Sequence, residues 1–379
     1  MNLLRTWAVI RKEARHIMRD RRAFFLVTIS PVFLLVVMAY TFMVDIQNVA
    51  VAVMDRDGTH LSRRYIAGLG GTGDVLVRYV ADDYGDLERW LMTSEAKAAL
   101  VIPPGFEADL KGGREASIQV LVEGTEPVTA NTAMQHIGGY TQQFALEVVS
   151  DVAARAGFVV DEAALVPIDL RLRTWYNPTL KAVIGYLPAL IAIVMSMPAV
   201  ATTLALTGEK EHGTLEQLIV TPISRSELLM GKLIPYVLSG MLGVLLCVIV
   251  AVYWFGSPFQ GSFALYLVLS LDFLLASLAI ALVLSVFVKS QGAAMLGAML
   301  IFFFPGFFLS GIFYPLVSMQ PMMKMEAYMV PTTHYVLIGR GLMLKGQGLD
   351  ALWPHALALL AMGIIFMSLA VLFFKKKLT

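Results

Sequence analysis

Six stretches of this chain carry at most one charged side chain each: 23–44, 180–206, 228–255, 263–288, 292–312 and 353–374. A helix rising 1.5 Å per residue needs about 20 such residues to cross the ~30 Å hydrocarbon layer of a bilayer. Inside that layer every backbone polar group must be satisfied within the protein, so each stretch predicts a transmembrane helix. Charged residues make up 15% of the chain, against about 25% in ordinary soluble proteins. The first stretch is long for a cleaved leader and has no small-residue cleavage site after it, so it reads as an uncleaved anchor.

The remaining charges are segregated. Residues 1–22 hold Arg5, Arg11, Lys12, Arg15, Arg19, Arg21 and Arg22 against Glu13 and Asp20. Residues 45–175 hold 11 basic and 19 acidic side chains, a net of −8, and the chain closes on Lys375, Lys376 and Lys377. Basic flanks resist translocation, which predicts both termini on the cytoplasmic side of the membrane and the acidic segment outside it. Leu3, Leu4, Trp7, Ile10, Ala14, Ile17 and Met18 recur at helical spacing within 1–22. They predict an amphipathic helix lying along the cytoplasmic headgroups, with a solvated tail as the alternative.

Segment 45–176 has the character of a globular domain. Short β-branched runs at 49–54, 75–80, 99–102, 118–122 and, more weakly, 168–173 alternate with helical stretches at 86–96 and 128–156. The fold class is therefore a membrane all-α six-helix bundle with an inserted α/β or α+β extracytoplasmic domain. Residues 207–227 fall in the cytoplasm, 313–350 read as short helices dipping into the outer leaflet, and 375–379 form a cytoplasmic tail.

Catalytic chemistry is absent from the sequence pattern. No G-x-x-x-x-G-K-[ST] phosphate loop occurs, the six histidines lack metal-ligand spacing, and the one cysteine, Cys247, permits no intrachain disulfide. The chain is predicted to bind no cofactor and to have no ATPase of its own. Asp272, inside an apolar stretch, is a proton- or substrate-linked site, a structural hydrogen bond to another helix, or a position nearer the outer interface; the structural reading is favoured. The charged loop after 180–206 joins two spans with no flexible linker. It reads either as a knob that receives a push from a soluble partner or as an ordinary solvated loop.

The run Glu211-x-Gly213-Thr214-x-Glu216-x-Leu218-x-x-Thr221-Pro222, followed by Gly231-Lys232, resembles the signature of ABC-2 type permeases. Pro331-Thr332-Thr333-His334-Tyr335 through Arg340-Gly341 to Leu344-Lys345-Gly346 is similar to that family's pattern before its last helix, and the order of parts matches along essentially the whole chain. The closest pattern is that of multidrug-type exporters with a large domain after the first helix. The resemblance implies that the loop is a coupling helix seated on cytoplasmic ABC ATPase subunits, which carry the ATP and Mg. On that basis Glu209, Glu211, His212, Gly213, Thr214, Glu216, Pro222 and Arg225 are candidates for the contact, with Gly213 permitting close backbone approach and Pro222 fixing the exit turn. Pro331, Tyr335 and Arg340 become candidates for an outer-leaflet motif. The resemblance also implies a second permease subunit, identical or paralogous, and lipid contacts; a periplasmic adaptor is a further candidate partner. The acidic segment argues against nucleic acid. Two other classes stand beside this one: a proton- or ion-coupled secondary transporter using Asp272, and a membrane sensor. The first lacks internally repeated halves and the second lacks a cytoplasmic signalling domain.

Overall fold

A computed structural model describes residues 3–20, 24–42, 48–155, 176–177, 181–214 and 223–374. The chain divides into two units, one formed by Met1–Val44 with Arg173–Thr379 and the other by Asp45–Leu172.

The second unit is built from β1 (Val49–Asp55), α3 (His60–Gly71), β2 (Val75–Val80), α4 (Tyr84–Met92), β3 (Ala98–Ile102), α5 (Phe106–Lys111), β4 (Gln119–Val122) and α6 (Pro127–Arg155); α1 and α2, below, precede it in the chain. The sheet order is β2-β1-β3-β4, with β1 parallel to β2 and β3 and the β3–β4 pair antiparallel. Strand periodicity splits the core in two. Val49, Val51, Val53, Leu100 and Ile102 meet Tyr65 and Leu69 of α3 and Ile137 and Phe144 of α6 on one face, while Ala52, Met54, Ala99 and Val101 meet Leu87 of α4 on the other. The helix expected at 86–96 starts earlier, where the Asp83 side chain accepts the Asp86 amide hydrogen, and it stops at Met92. Helices α3 and α5 were not expected. The sequence of α3 carries Gly68, Gly70 and Gly71, poor helix formers, yet Thr59 caps it and Leu61, Tyr65 and Leu69 give it a buried stripe. Gly68 is required by packing, because a Cβ there would lie 1.9 Å from the Tyr140 hydroxyl. The weak strand expected at 168–173 lies outside the described residues.

The first unit contains α1 (Leu3–Arg19) and the apolar helices α2 (Phe25–Thr41), α7 (Ala182–Glu211, with a turn at Met195-Ser196), α8 (Arg225–Trp254), α9 (Phe263–Phe287) and α10 (Gln291–Phe308). These are followed by α11 (Pro321–Tyr328), α12 (Pro331–Gly339), which continues as a wider turn over Arg340–Leu344, and α13 (Leu349–Phe373). Five of these (α7 to α10 and α13) are long and apolar enough to cross a membrane, and α2 is a shorter apolar helix. Burial separates their roles. The apolar window of α7 is 89% buried and that of α13 only 11%, so α7 is the central helix and α13 presents a large apolar face outward. Large exposed apolar faces on long helices suit a lipid surroundings and not water.

Helix α7 runs through Glu211 and α8 begins at Arg225, so both ends of the segment read as a loop over 207–227 are helical. Ser224 and Glu227 form a reciprocal capping box that fixes the start of α8. Helix α12 is buried against α7, α9 and α13. On α1, Thr6, Val9, Glu13 and Ile17 dock on α8, while Leu4, Trp7 and Met18 stay exposed.

Candidate functional site

The last turn of α7 places three consecutive side chains on three different neighbours. Glu209 reaches toward α1 and α8: its carboxylate pairs with Lys12 Nζ at 3.0 Å and with Lys232 Nζ. Lys210 Nζ donates to the carbonyls of Ser285 and Val286 at the C-terminal end of α9 (2.8 Å for Val286), where orphan carbonyls attract a cation. Glu211 accepts the Gln291 amide hydrogen at 2.9 Å, at the N-terminus of α10, where an anion is favoured. The opposite helix ends thus explain the alternation acid, base, acid.

Behind Glu209 lies a buried charge pair. Lys232 Nζ is 3.0 Å from Glu13 Oε1, with side chains 3% and 2% exposed, and Lys12 Nζ approaches the same oxygen at 2.9 Å. Burial pushes the Glu13 carboxyl upward, but Lys232 and Lys12 outweigh it and hold the group below its usual range. A carboxyl with a depressed folded value stabilises the fold above its unfolded value. That contribution is lost as pH falls through the folded value. Gly231 makes the approach of α1 feasible, since a Cβ there would stand 2.7 Å from Val9 Cβ and 2.8 Å from Val9 Cγ1. Gly231→Val is accordingly expected to destabilise the unit by about 1–3 kcal/mol through overpacking. Thermal unfolding checks this, and Val9→Ala in the same chain should restore only part of the loss, because alanine keeps the Cβ that stands 2.7 Å from the new side chain.

The candidates from the sequence separate clearly. Glu209 is half-buried in its contacts with Lys12 and Lys232, and Glu211, though exposed, is bonded to the start of α10. His212 caps α7, its Nδ1 2.7 Å from the Gly208 carbonyl, and Thr214 Oγ1 donates to the Glu209 carbonyl at 3.2 Å. Gly213 has φ +71° and nothing within 4 Å of a built Cβ. The left-handed turn here ends the helix, and glycine adopts it without strain. Arg225 opens α8 and is exposed. Glu216 and Pro222 lie outside the described residues.

Elsewhere, Pro331 starts α12, Arg340 Nη1 donates to the Gly311 carbonyl at 2.9 Å, and Tyr335 is buried against α9. The Tyr335 ring stacks on Phe273 at 4.3 Å, and its hydroxyl donates to that of Tyr266 at 3.0 Å and lies 2.6 Å from Ser270 Oγ. Asp272 makes no hydrogen bond or ion pair among the described residues, so the structural bond favoured for it does not form there. Sequence reasoning missed Lys12, Glu13, Lys210 and Lys232 as site residues. A signal existed: Lys232 is a lone charge in an apolar run, and Glu13 is an acid among bases.

A cavity of about 490 Å³ opens beside this cluster, lined by Asp20, Leu26, Ala205, Glu209, His212 and Tyr236, among others. No group of three or more His, Cys, Asp or Glu side chains is placed to hold a metal ion among the described residues.

Comparison with known proteins is consistent along the whole chain. The family model described as ABC-2 family transporter protein matches residues 21–372. The probable multidrug ABC transporter permease YbhS of Escherichia coli K12 is 28% identical over 100% of this chain and 99% of its own length. The inner membrane transport permease YhhJ of the same organism is 30% identical over 86% of this chain and 85% of its own. A third relative, the probable multidrug ABC transporter permease YbhR, is 23% identical over 98% and 99% of the two chains.

Proposed function

The chain belongs to the ABC-2 transporter family, and from that premise we propose that it is the membrane-spanning permease subunit of an ATP-driven exporter powered by a separate ATPase polypeptide. Six spans are counted when α2 is included, both termini face the cytoplasm of a bacterial inner membrane, and Asp45–Leu172 faces the other side; the segregation of basic and acidic residues supports this orientation. ATP and Mg act on the partner ATPase. A second permease subunit completes the pathway, and the cargo is a hydrophobic or amphipathic compound such as a drug or lipid-like molecule.

The observation that carries the reading is the end of α7. Residues Glu209, Lys210 and Glu211 grip α1 and α8, α9, and α10, and the chain then leaves directly into the connection 212–224. A push on that connection is delivered to four helices through charged contacts of defined partner. Packed interfaces switch between discrete arrangements more readily than they deform, and a partner shifts such an equilibrium only through contacts that differ between the two states. On this account Glu216, His212 and Arg225 meet the ATPase, while Glu209, Lys210 and Glu211 transmit. The secondary-transporter reading has Asp272 alone behind it.

The test is association and hydrolysis with the co-expressed ATPase. Glu216→Lys is expected to weaken association and to cut permease-stimulated hydrolysis about tenfold, the scale of a reversed charge contact across an interface. Unchanged association together with unchanged hydrolysis would sink the assignment.

A further inference from the structure

Asp272 is the one carboxylate in the middle of α9, and it has no partner among the described residues. It faces a groove of about 290 Å³ where α8, α9 and α13 meet, whose wall is otherwise almost wholly apolar: Leu233, Leu275, Leu360, Ile364 and Met367. Ser368, also in the wall, gives its hydroxyl hydrogen to the Ile364 carbonyl of its own helix at 2.7 Å. On the α13 side the groove is open, since Leu357, Leu360 and Ile364 are all exposed.

We propose that this groove binds a lipophilic cation, with the Asp272 carboxylate as its counter-ion and the α8–α9–α13 walls holding its apolar body. The inference rests on the reading that α9 crosses the bilayer. An unpaired carboxylate surrounded by hydrocarbon is costly, and a bound cation relieves that cost where an apolar occupant does not. Depth selects among cations. Asp272 follows Phe263, the first residue of α9, by nine positions, so it sits about 14 Å along the helix, near the middle of a ~30 Å hydrocarbon layer. A lipid amine headgroup stays at the interface, out of reach. A second copy of the chain is also a poor occupant. Its Lys232 is committed to Glu13 and Glu209, its Lys210 to the carbonyls of α9 and its Arg340 to the Gly311 carbonyl, while Arg225 stands at the very start of α8, far from mid-layer depth. A free cation with an apolar body satisfies charge, shape and depth together.

Binding of radiolabelled tetraphenylphosphonium, whose charge does not titrate, to the full chain in lipid nanodiscs tests this, with empty nanodiscs as background. Wild type is expected to bind saturably. Asp272→Asn should weaken binding at least about tenfold, the scale of one lost charge contact, and Asp272→Glu should stay within about threefold of wild type. Ser368→Trp, which fills the groove from its exposed rim and leaves the carboxylate in place, should also lose about tenfold; it decides the matter if Asp272→Asn does not fold. No saturable binding above empty nanodiscs overturns the proposal, as does equal binding by wild type and folded Asp272→Asn or Ser368→Trp; a groove filled by lipid chains or by a second copy gives those results. Such a failure leaves the hydrolysis test of Glu216→Lys untouched, so the two readings fall separately.

Discussion

Lys232→Ala is expected to destabilise the helical unit by about 3–5 kcal/mol, because it strands the Glu13 carboxylate in a site from which water is excluded. Glu13 is 2% exposed and loses the closest fully buried cation facing it. Lys12 remains, but its side chain is 48% exposed and it already serves Glu209. The pair itself is a different quantity from the penalty of breaking it. Replacing both partners by apolar side chains of similar size, Glu13→Leu with Lys232→Met, should return stability to within about 1 kcal/mol of wild type. Thermal unfolding of Glu13→Leu, Lys232→Met and the double variant gives the coupling energy directly. If the double variant is as unstable as Lys232→Ala, although methionine replaces the lysine stem, the loss comes from the Glu209 contact and not from the stranded Glu13 charge. The double variant also separates stability from transmission, since Glu209 loses its link to α8 and keeps Lys12 of α1.

Tyr335→Ala should be of comparable size. Its ring is sandwiched on Phe273 and it is 1% exposed, so truncation leaves a cavity and forfeits the dispersion contacts of its lining. Lipid chains are as apolar as the core, so the transfer part of the usual penalty shrinks and the packing part dominates, giving about 2–4 kcal/mol. Tyr335→Phe keeps the ring and removes only the hydroxyl, which leaves the Tyr266 hydroxyl without that donor and should cost about 1–2 kcal/mol. Unfolding in detergent by denaturant or heat checks both. A Phe variant as damaged as the Ala variant would place the energy in the hydroxyl cluster instead of the stack.

The features legible in the sequence are those set by local pattern. Long uncharged runs locate the apolar helices because backbone satisfaction in a bilayer leaves few other structures. Alternating β-branched residues locate β1 to β4, since a pleated strand shows its period in neighbouring positions. Helix ends were less legible. The acid-base-acid run at Glu209–Glu211 looks like solvated loop on composition, and it becomes helix only because α9, α10, α1 and α8 satisfy it. Glu13 and Lys232 are 219 positions apart, so nothing local signals their contact; only their oddness of sign does. Gly213 and Gly231 lie in one motif yet answer different needs, the first a left-handed turn and the second the close passage of Val9. Sequence spacing alone does not tell these apart, because both needs are met by the absence of a side chain.

The central claim is that the end of α7 passes movement of the connection 212–224 into the helices. Hydrogen exchange on the permease–ATPase complex, with and without a non-hydrolysable ATP analogue, addresses it most directly. In wild type, nucleotide should change protection in peptides over 212–224 and also in those covering α1 and the ends of α9 and α10. In a Lys210→Met, Glu211→Gln variant that still binds the ATPase, the change should remain over 212–224 and vanish from the ends of α9 and α10. Equal spread of the change in wild type and variant, or no change beyond 212–224 in wild type, would contradict the account.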